Sequence, residues 1–294
     1  MDILCPSCQS KNNVSMGKIP EMDTFAGNKL PDPFPQSSLI KCKDCNLYFK
    51  WPKPIRKELS RLYQNGNPEN WQYELIDRKD WQIAKDWINR RASEGIILDI
   101  GCWDGKFLEN FSSSYELCGI EINSRAAEKA GSKGIKIVSS DISDMSALPV
   151  EADVTTAFDI IEHFEDPFKL ISSMAKATRK NGNIIISSGN TEALTWKLGR
   201  NKYWYSAISE HIVFINKRWC NYAAERLNLQ IKYEERYSRF NKNSMTQTIK
   251  DVVKDISYLM GYRHIEKSAG KDFYHPTYWM TSKDHLIIIF EKIN

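Results

Sequence analysis

Short apolar runs separated by helical stretches organise the chain from Gly95 to Ser188. Ile96-Ile97-Leu98-Asp99-Ile100 reads as a buried strand, Gly101 to Gly105 as a turn, and Lys106 to Phe111 as the start of a helix. Glu116 to Glu121 predicts a second strand, Ser124 to Ala130 a helix with its alanines on one face, and Ile135 to Val138 a third strand. Val154 to Phe158, a helix over Asp166 to Thr178, and Ile184 to Ile186 complete the run. Strand–helix alternation with short links predicts βαβ units and a parallel sheet, with ligands at the carboxyl ends of its strands. Beyond it, Thr191 to Lys217 is aromatic and irregular, Arg218 to Leu227 reads as a helix, and Gln230 to Glu235 and Leu286 to Glu291 as strands.

The flanks differ. Residues 1–50 show little periodicity of either kind, and in 51–94 Leu59, Leu62, Tyr63, Trp71, Trp81 and Trp87 recur near helical spacing among charges. The expected organisation is an N-terminal module over 1–50, a helical cap over 51–94 and an α/β domain over 95–294. Within the last, 191–217 is a covering segment and 239–282 a partly helical insertion suited to core packing or a homodimer contact.

With 41% hydrophobic and 27% charged residues, the composition is that of a globular protein and excludes disorder and collagen-like repeats. The longest apolar runs, such as Leu286 to Phe290, fall far short of a membrane span, and Met1 to Cys5 does not read as a secretory start. A cytoplasmic protein is expected. The net charge of +4 is too small to demand a polyanionic partner.

Seven cysteines include Cys5-x-x-Cys8 and Cys42-x-x-Cys45. Two such turns facing each other supply four thiolates in a tetrahedron, the closed set preferred by structural Zn²⁺. Residues 12–38 must then loop out of this ribbon, and Asn46 suits a left-handed turn after the second pair. Cys102, Cys118 and Cys220 read as buried small hydrophobes.

Leu98-Asp99-Ile100-Gly101-Cys102-Trp103-Asp104-Gly105 places an acid at the end of a buried strand, followed by a Gly-rich turn. An acid there would repel a pyrophosphate, whereas a cationic, phosphate-free nucleoside suits it. The stretch resembles the class I S-adenosylmethionine-dependent methyltransferases, matching at Asp99, Gly101 and Gly105 while Trp103 replaces the middle glycine. Glu121 ends the second strand in the position that takes ribose hydroxyls, Asp141-Ile142 follows the third, and Phe158-Asp159 the fourth. The resemblance covers Gly95 to about Leu229 and implies a Rossmann-like, seven-stranded, mostly parallel sheet. It implies S-adenosylmethionine as cofactor, bound by Asp99, Gly101, Cys102, Gly105, Glu121, Asp141, Ile142, Phe158 and Asp159. Tyr73 is a candidate for the methionine carboxylate, against plain aromatic packing.

For proton removal from an acceptor, Ser209-Glu210-His211 is the first candidate, with His211 titrating near neutrality and Glu210 orienting it. His163 is the rival. With Asp159 and Glu162 it could also gather a divalent metal, as in quinone O-methyltransferases, although that signature is widespread and a structural or cofactor-lining role for His163 is preferred. The cysteine ribbon, Cys42 to Phe49 with Pro52, and Ser209 to Ile212 resemble sugar C-methyltransferases, although their further C-terminal domain is not expected among these residues. A small-molecule or carbohydrate acceptor, methylated on oxygen or carbon, is expected. Two alternatives stay open. The first is a zinc-finger ribosomal RNA methyltransferase, supported by Lys41, Lys43, Lys50, Lys53, Arg56, Lys57 and Arg61; the second is a cofactor-binding partner without turnover.

Overall fold

The computed structural model describes residues 2–25, 28–53, 56–66, 78–91, 93–111, 114–140, 151–238 and 283–293. The N-terminal module holds more strand than its sequence pattern suggests. β1 (Asn13–Ile19), β4 (Ser37–Cys42) and β5 (Tyr48–Trp51) form an antiparallel sheet, and β2 (Met22–Phe25) with β3 (Asn28–Phe34) makes a separate hairpin. The stretch expected merely to loop out is therefore mostly strand. Its pairing is bulged between Ser15 and Gly17, which blurs the alternation on which a strand reading depends.

Two helices follow, α1 (Arg56–Asn65) and α2 (Lys79–Arg91), as the helical spacing predicts. Ala84 and Ile88 of α2 are fully buried against the sheet behind them.

That sheet is built from β6 (Gly95–Ile100), β7 (Tyr115–Ile120), α3 (Ser124–Ser132), β8 (Lys136–Ser139), β9 (Ala152–Phe158), α4 (Pro167–Ala177) and β10 (Thr178–Gly189) in chain order. Local chemistry starts the helices: Asn123 caps α3 through Ala126 N, and Asp166 caps α4 through Phe168 N and Lys169 N, with Pro167 in the first turn. The helix expected over Lys106 to Phe111 shrinks to one 3₁₀ turn at Leu108–Asn110. Phe107, Leu108 and Phe111 all turn into the core there.

The covering segment is not irregular throughout. It forms α5 (Leu194–Gly199), α6 (Trp204–Ala207) and β11 (Val213–Phe214), after which α7 (Lys217–Leu227), β12 (Leu229–Tyr237) and β13 (His285–Lys292) close the fold. The large sheet runs β12-β13-β10-β9-β6-β7-β8. Every strand is parallel except β13, which runs against both neighbours. β11 leaves this sheet and pairs with β5, joining the N-terminal module to the α/β domain through Val213↔Phe49 and Phe214↔Tyr48. No described helix is long and apolar enough to cross a membrane. The expected insertion at 239–282 lies outside the described residues.

Candidate active site

From β6 the chain steps outward through β7 to β8 and then returns on the other side of β6 as β9. The loops after β6 and β9 consequently diverge from one crevice at the carboxyl edge, where open α/β sheets bind their ligands. Gly101 sits in that crevice at φ +71°, and a Cβ on it would lie 2.2 Å from Ile160 Cδ1. Glycine takes this left-handed conformation without strain, and a larger residue would have to push the tip of the Ile160 side chain aside. Trp103, standing where the family pattern has its middle glycine, adopts the left-handed conformation itself at φ +54°. Its backbone N–H donates to Glu121 Oε2 at 2.9 Å, which offsets the strain of about 1 kcal/mol and keeps the loop's path.

Glu121 is a fixed acceptor. Its Oε1 takes the Asn123 N–H at 2.8 Å, and burial pushes its pKa up while those backbone bonds pull it down. Unused lone pairs remain for a diol. Asp99 is 3% exposed and accepts the Thr156 hydroxyl at 2.6 Å. Desolvation raises its pKa to about 7 against that bond and the attraction of Arg78. A buried carboxylate held this high gains most from a cationic ligand, so the chemistry of Asp99 and Glu121 fits the ammonium and ribose of S-adenosylmethionine.

Other expected cofactor residues divide. Cys102 lies within the turn and packs its Sγ where a Cβ on Gly119 would come within 2.4 Å. Gly105 adopts φ +79°, close against Ile135. Phe158 puts its ring into an aromatic cluster with Phe107 and Trp81 beneath the crevice. Asp159, also left-handed at φ +53°, meets the Arg78 guanidinium at 2.9 Å. Asp141, Ile142 and Tyr73 lie outside the described residues.

Arg78 has no counterpart in the sequence-based expectations. It forks onto Asp80 at 2.5 and 3.0 Å, stands over the Trp81 ring, and reaches Asp159. Burial opposes its charge, but the two carboxylates raise its pKa well above the ordinary value. Asp80 in turn accepts the Ser187 hydroxyl at 2.7 Å, tying the start of α2 to the end of β10. An Arg two residues before a buried Asp, just ahead of a Trp-rich helix, is the signal that could have marked it.

Beside the crevice, the 3₁₀ turn Ile161–His163 meets the covering segment. Glu162 is fully buried, accepting Tyr205 OH at 2.5 Å and Ser188 Oγ at 2.8 Å. Desolvation and repulsion from Asp159 raise its pKa. His163 Nδ1 lies 2.7 Å from Tyr63 OH of α1 and 3.1 Å from the Glu210 carbonyl. The His163 and His211 rings contact at 4.9 Å between centroids. His211 is 7% exposed, and its Nδ1 is 3.2 Å from the Tyr205 carbonyl. A carbonyl only accepts, so Nδ1 carries the proton and Nε2 is left as a base.

Two expectations change in detail. Desolvation, aided by His163 and Lys50, drives the His211 pKa well below its ordinary value, so the imidazole is neutral at pH 7 and does not titrate near neutrality. The Glu210 carboxylate is bonded to Ser209 Oγ at 2.5 Å, and the orienting partner of His211 is the Tyr205 backbone. The metal set expected from Asp159, Glu162 and His163 also regroups. Ligand atoms of Glu162, His163 and His211 lie within 4.8 Å of one another, whereas Asp159 is held by Arg78.

A family model described as "Methyltransferase domain" matches residues 61–234. The chain belongs to the methyltransferase domain family. This methyltransferase domain is 25% identical over 113 residues to a ubiquinone biosynthesis O-methyltransferase of Idiomarina loihiensis, covering 35% of this chain and 46% of that protein. An uncharacterized protein of Methanocaldococcus jannaschii is 24% identical over 131 residues, 45% of this chain and 62% of that one. The matches thus span less than two thirds of these curated relatives' length. Among solved structures, the plantazolicin methyltransferase BpumL in complex with a pentazolic desmethylPZN analog and SAH superposes with a TM-score of 0.51 at 17% identity, covering 81% of this chain and 98% of that one. A Haloferax volcanii methyltransferase candidate in complex with the Trm112 methyltransferase activator gives 0.54 at 12% identity, covering 82% and 100%. These likenesses concern the fold.

The cysteine cluster lies N-terminal to the matched residues. Cys5 Sγ is 3.5 Å from Cys45 Sγ, Cys8 Sγ is 3.5 Å from Cys42 Sγ, and all four lie within 4.8 Å of one another. A tetrahedron of thiolates around Zn²⁺ at about 2.3 Å has edges of about 3.8 Å, so this donor set fits. The Cys5 hydrogen bond and burial push the Cys45 thiol up, while Cys5 is drawn down to about 6. Asn46 takes φ +64°, as expected of the turn after the second pair. Both knuckles are fastened to the methyltransferase domain around the start of α7: Trp219 Nε1 donates to Ser7 Oγ at 2.9 Å, and Asn216 Nδ2 to the Asn46 carbonyl at 2.8 Å.

Proposed function

We propose that this chain transfers a methyl group from S-adenosylmethionine to a small-molecule or carbohydrate acceptor, with His211 as the base that removes the acceptor's proton. The observation that carries the reading is the neutral, buried His211, whose oriented Nε2 lone pair lies in the cluster beside a crevice rimmed by Asp99 and Glu121. When bound, the sulfonium of S-adenosylmethionine supplies an electrophilic methyl group. Asp99 holds the ammonium end, Glu121 the ribose hydroxyls, and Gly101 lets the backbone approach them. His211 Nε2 receives the proton as the acceptor atom takes up the methyl. Tyr205 and Ser188 hold Glu162 beneath the imidazoles, and the covering segment excludes water.

Oxygen is the favoured acceptor atom, in keeping with the relatives named for ubiquinone biosynthesis. The four cysteines hold a structural Zn²⁺ with no open position for chemistry. The nucleic-acid reading is weakened at two of its seven basic residues, because Lys50 is 3% exposed and Lys53 is paired with Glu165 at 2.7 Å.

The deciding experiment incubates the chain with labelled S-adenosylmethionine and a panel of nucleotide sugars, glycans and phenols. His211→Ala is expected to lower transfer by about 10²-fold or more while leaving cofactor affinity within about twofold. Transfer unaffected by that substitution would remove His211 from the chemistry. Cofactor binding with no turnover on any acceptor would favour a partner protein.

A further inference from the structure

The turn that carries His211 lies between α6 and β11 and belongs to neither, yet it is buried: Ser209, Glu210 and His211 are 4%, 8% and 7% exposed. Its backbone groups therefore need partners inside the protein. The α/β domain supplies some of them. Ile212 N–H donates to the Glu162 carbonyl at 2.8 Å, and His163 Nδ1 lies 3.1 Å from the Glu210 carbonyl. His211 N–H closes the turn onto the Ile208 carbonyl at 3.2 Å.

The cysteine module supplies the others, and one of its residues reaches both ends of the turn. Lys50 of β5 donates its backbone N–H to the Ile212 carbonyl at 2.9 Å and its Nζ to the Ile208 carbonyl at 2.6 Å. It thus grips the chain before and after His211. Ser209 Oγ adds a bond to the Thr24 carbonyl of β2 at 2.5 Å. Lys50 is itself 3% exposed, and burial draws its pKa down to about 7, with Glu210 offsetting only part of the effect. Ammonium and amine both carry N–H donors, so the bond to Ile208 persists in either state.

The state of the imidazole depends on where this turn sits. His211 Nδ1 donates to the Tyr205 carbonyl at 3.2 Å, already at the long end for such a bond. A small displacement of the turn breaks it and admits the other tautomer, whose Nε2 carries the proton and has no lone pair to offer an acceptor.

We propose that Lys50 is a positioning residue for His211, stapling the turn from the cysteine module so that the imidazole keeps Nε2 as its base. The inference rests on the methyl-transfer reading. It gives the cysteine module a part in the reaction beyond its own folding.

The test follows histidine isotope-labelled at both ring nitrogens in the full zinc-loaded chain, without cofactor or acceptor. His211 is assigned by the signals lost in His211→Ala. The wild type is expected to show one fixed tautomer, with Nδ1 protonated and Nε2 bare. Lys50→Met keeps the bulk and removes the donor, and its two ring-nitrogen signals are expected to converge as the tautomers mix. Lys50→Arg keeps a donor and is expected to hold them apart. Zinc content equal to that of the wild type shows an intact module in each variant. In the transfer assay Lys50→Met is expected to lower kcat about 10- to 100-fold, the effect of a misplacement on the order of 1 Å, with the cofactor dissociation constant changed by less than about twofold. Amide exchange of the wild type needs no variant: the Lys50 and His211 N–H groups are expected to open together, with protection factors within about threefold across a denaturant series. A methionine variant that keeps the single tautomer, or a His211 amide exchanging more than about tenfold faster than that of Lys50, overturns the proposal. Neither signal involves turnover, so that failure leaves the methyl-transfer reading standing. Full transfer by His211→Ala removes that reading and leaves both wild-type signals as expected.

Discussion

If Asp99 holds the cationic end of the cofactor, as proposed, it makes cofactor binding a proton-coupled event. Its buried carboxyl titrates at about 7 without ligand. At pH 5.5 about 97% of the protein carries that proton, and at pH 7 about half. A sulfonium and an ammonium close to the carboxylate favour its ionised form, so binding must expel the proton wherever the free protein holds it. The sign follows: a raised pKa in the free state weakens affinity as pH falls through 7. If the bound carboxyl titrates well below 5.5, the dissociation constant rises about sixteenfold between pH 7 and 5.5, or about 1.6 kcal/mol. This range lies below the cofactor's amine pKa, so its charge stays constant. Calorimetry at pH 6 in buffers of different ionisation enthalpy is expected to show about 0.9 proton released. Asp99→Asn should weaken binding at pH 7 and flatten the slope. A wild-type affinity that varies less than about threefold over the range, or an asparagine variant with the full slope, would refute the reasoning.

Other perturbations reach the remaining parts of the structure. Gly101→Ala is expected to weaken cofactor binding, because φ +71° strains an L residue and its Cβ would push the tip of the Ile160 side chain aside, and Ile160→Ala in the same chain should restore part of it by equilibrium dialysis. Tyr205→Phe strips the buried Glu162 of its 2.5 Å donor. A loss of about 1–3 kcal/mol should appear as a fall in Tm of several degrees, and an unchanged Tm would contradict the network described. Elemental analysis is expected to find one zinc per chain and almost none in Cys45→Ser, with the variant's N-terminal module becoming sensitive to protease; an intact, metal-free module would exclude the structural role.

The α/β domain was legible because its strands are continuous apolar runs between Gly-rich turns, and each lies within two residues of its expectation except β10, which starts six residues earlier. Strand ends also carry the acids, so Asp99, Glu121 and Asp159 could be placed by order alone. Contacts across long sequence separations were not legible. Arg78 reaches Asp159, and Tyr63 reaches His163, from a cap whose periodicity reports only which face is buried. The N-terminal strands hid behind a bulge and prolines, and are held by pairing across long sequence separations. Lys50 read as one of several basic surface residues. Its burial depends on the partner strand β11, which two residues, Val213 and Phe214, could not announce.

That two-residue strand has a practical consequence for anyone trimming the molecule. Deleting residues 2–53 would strip β5 from the edge of β11 and lay open Ile212, Val213 and Phe214, each now 2% exposed or less. A truncated catalytic fragment should therefore come out as aggregate, and the shortest soluble version must keep the ribbon that the family match leaves out.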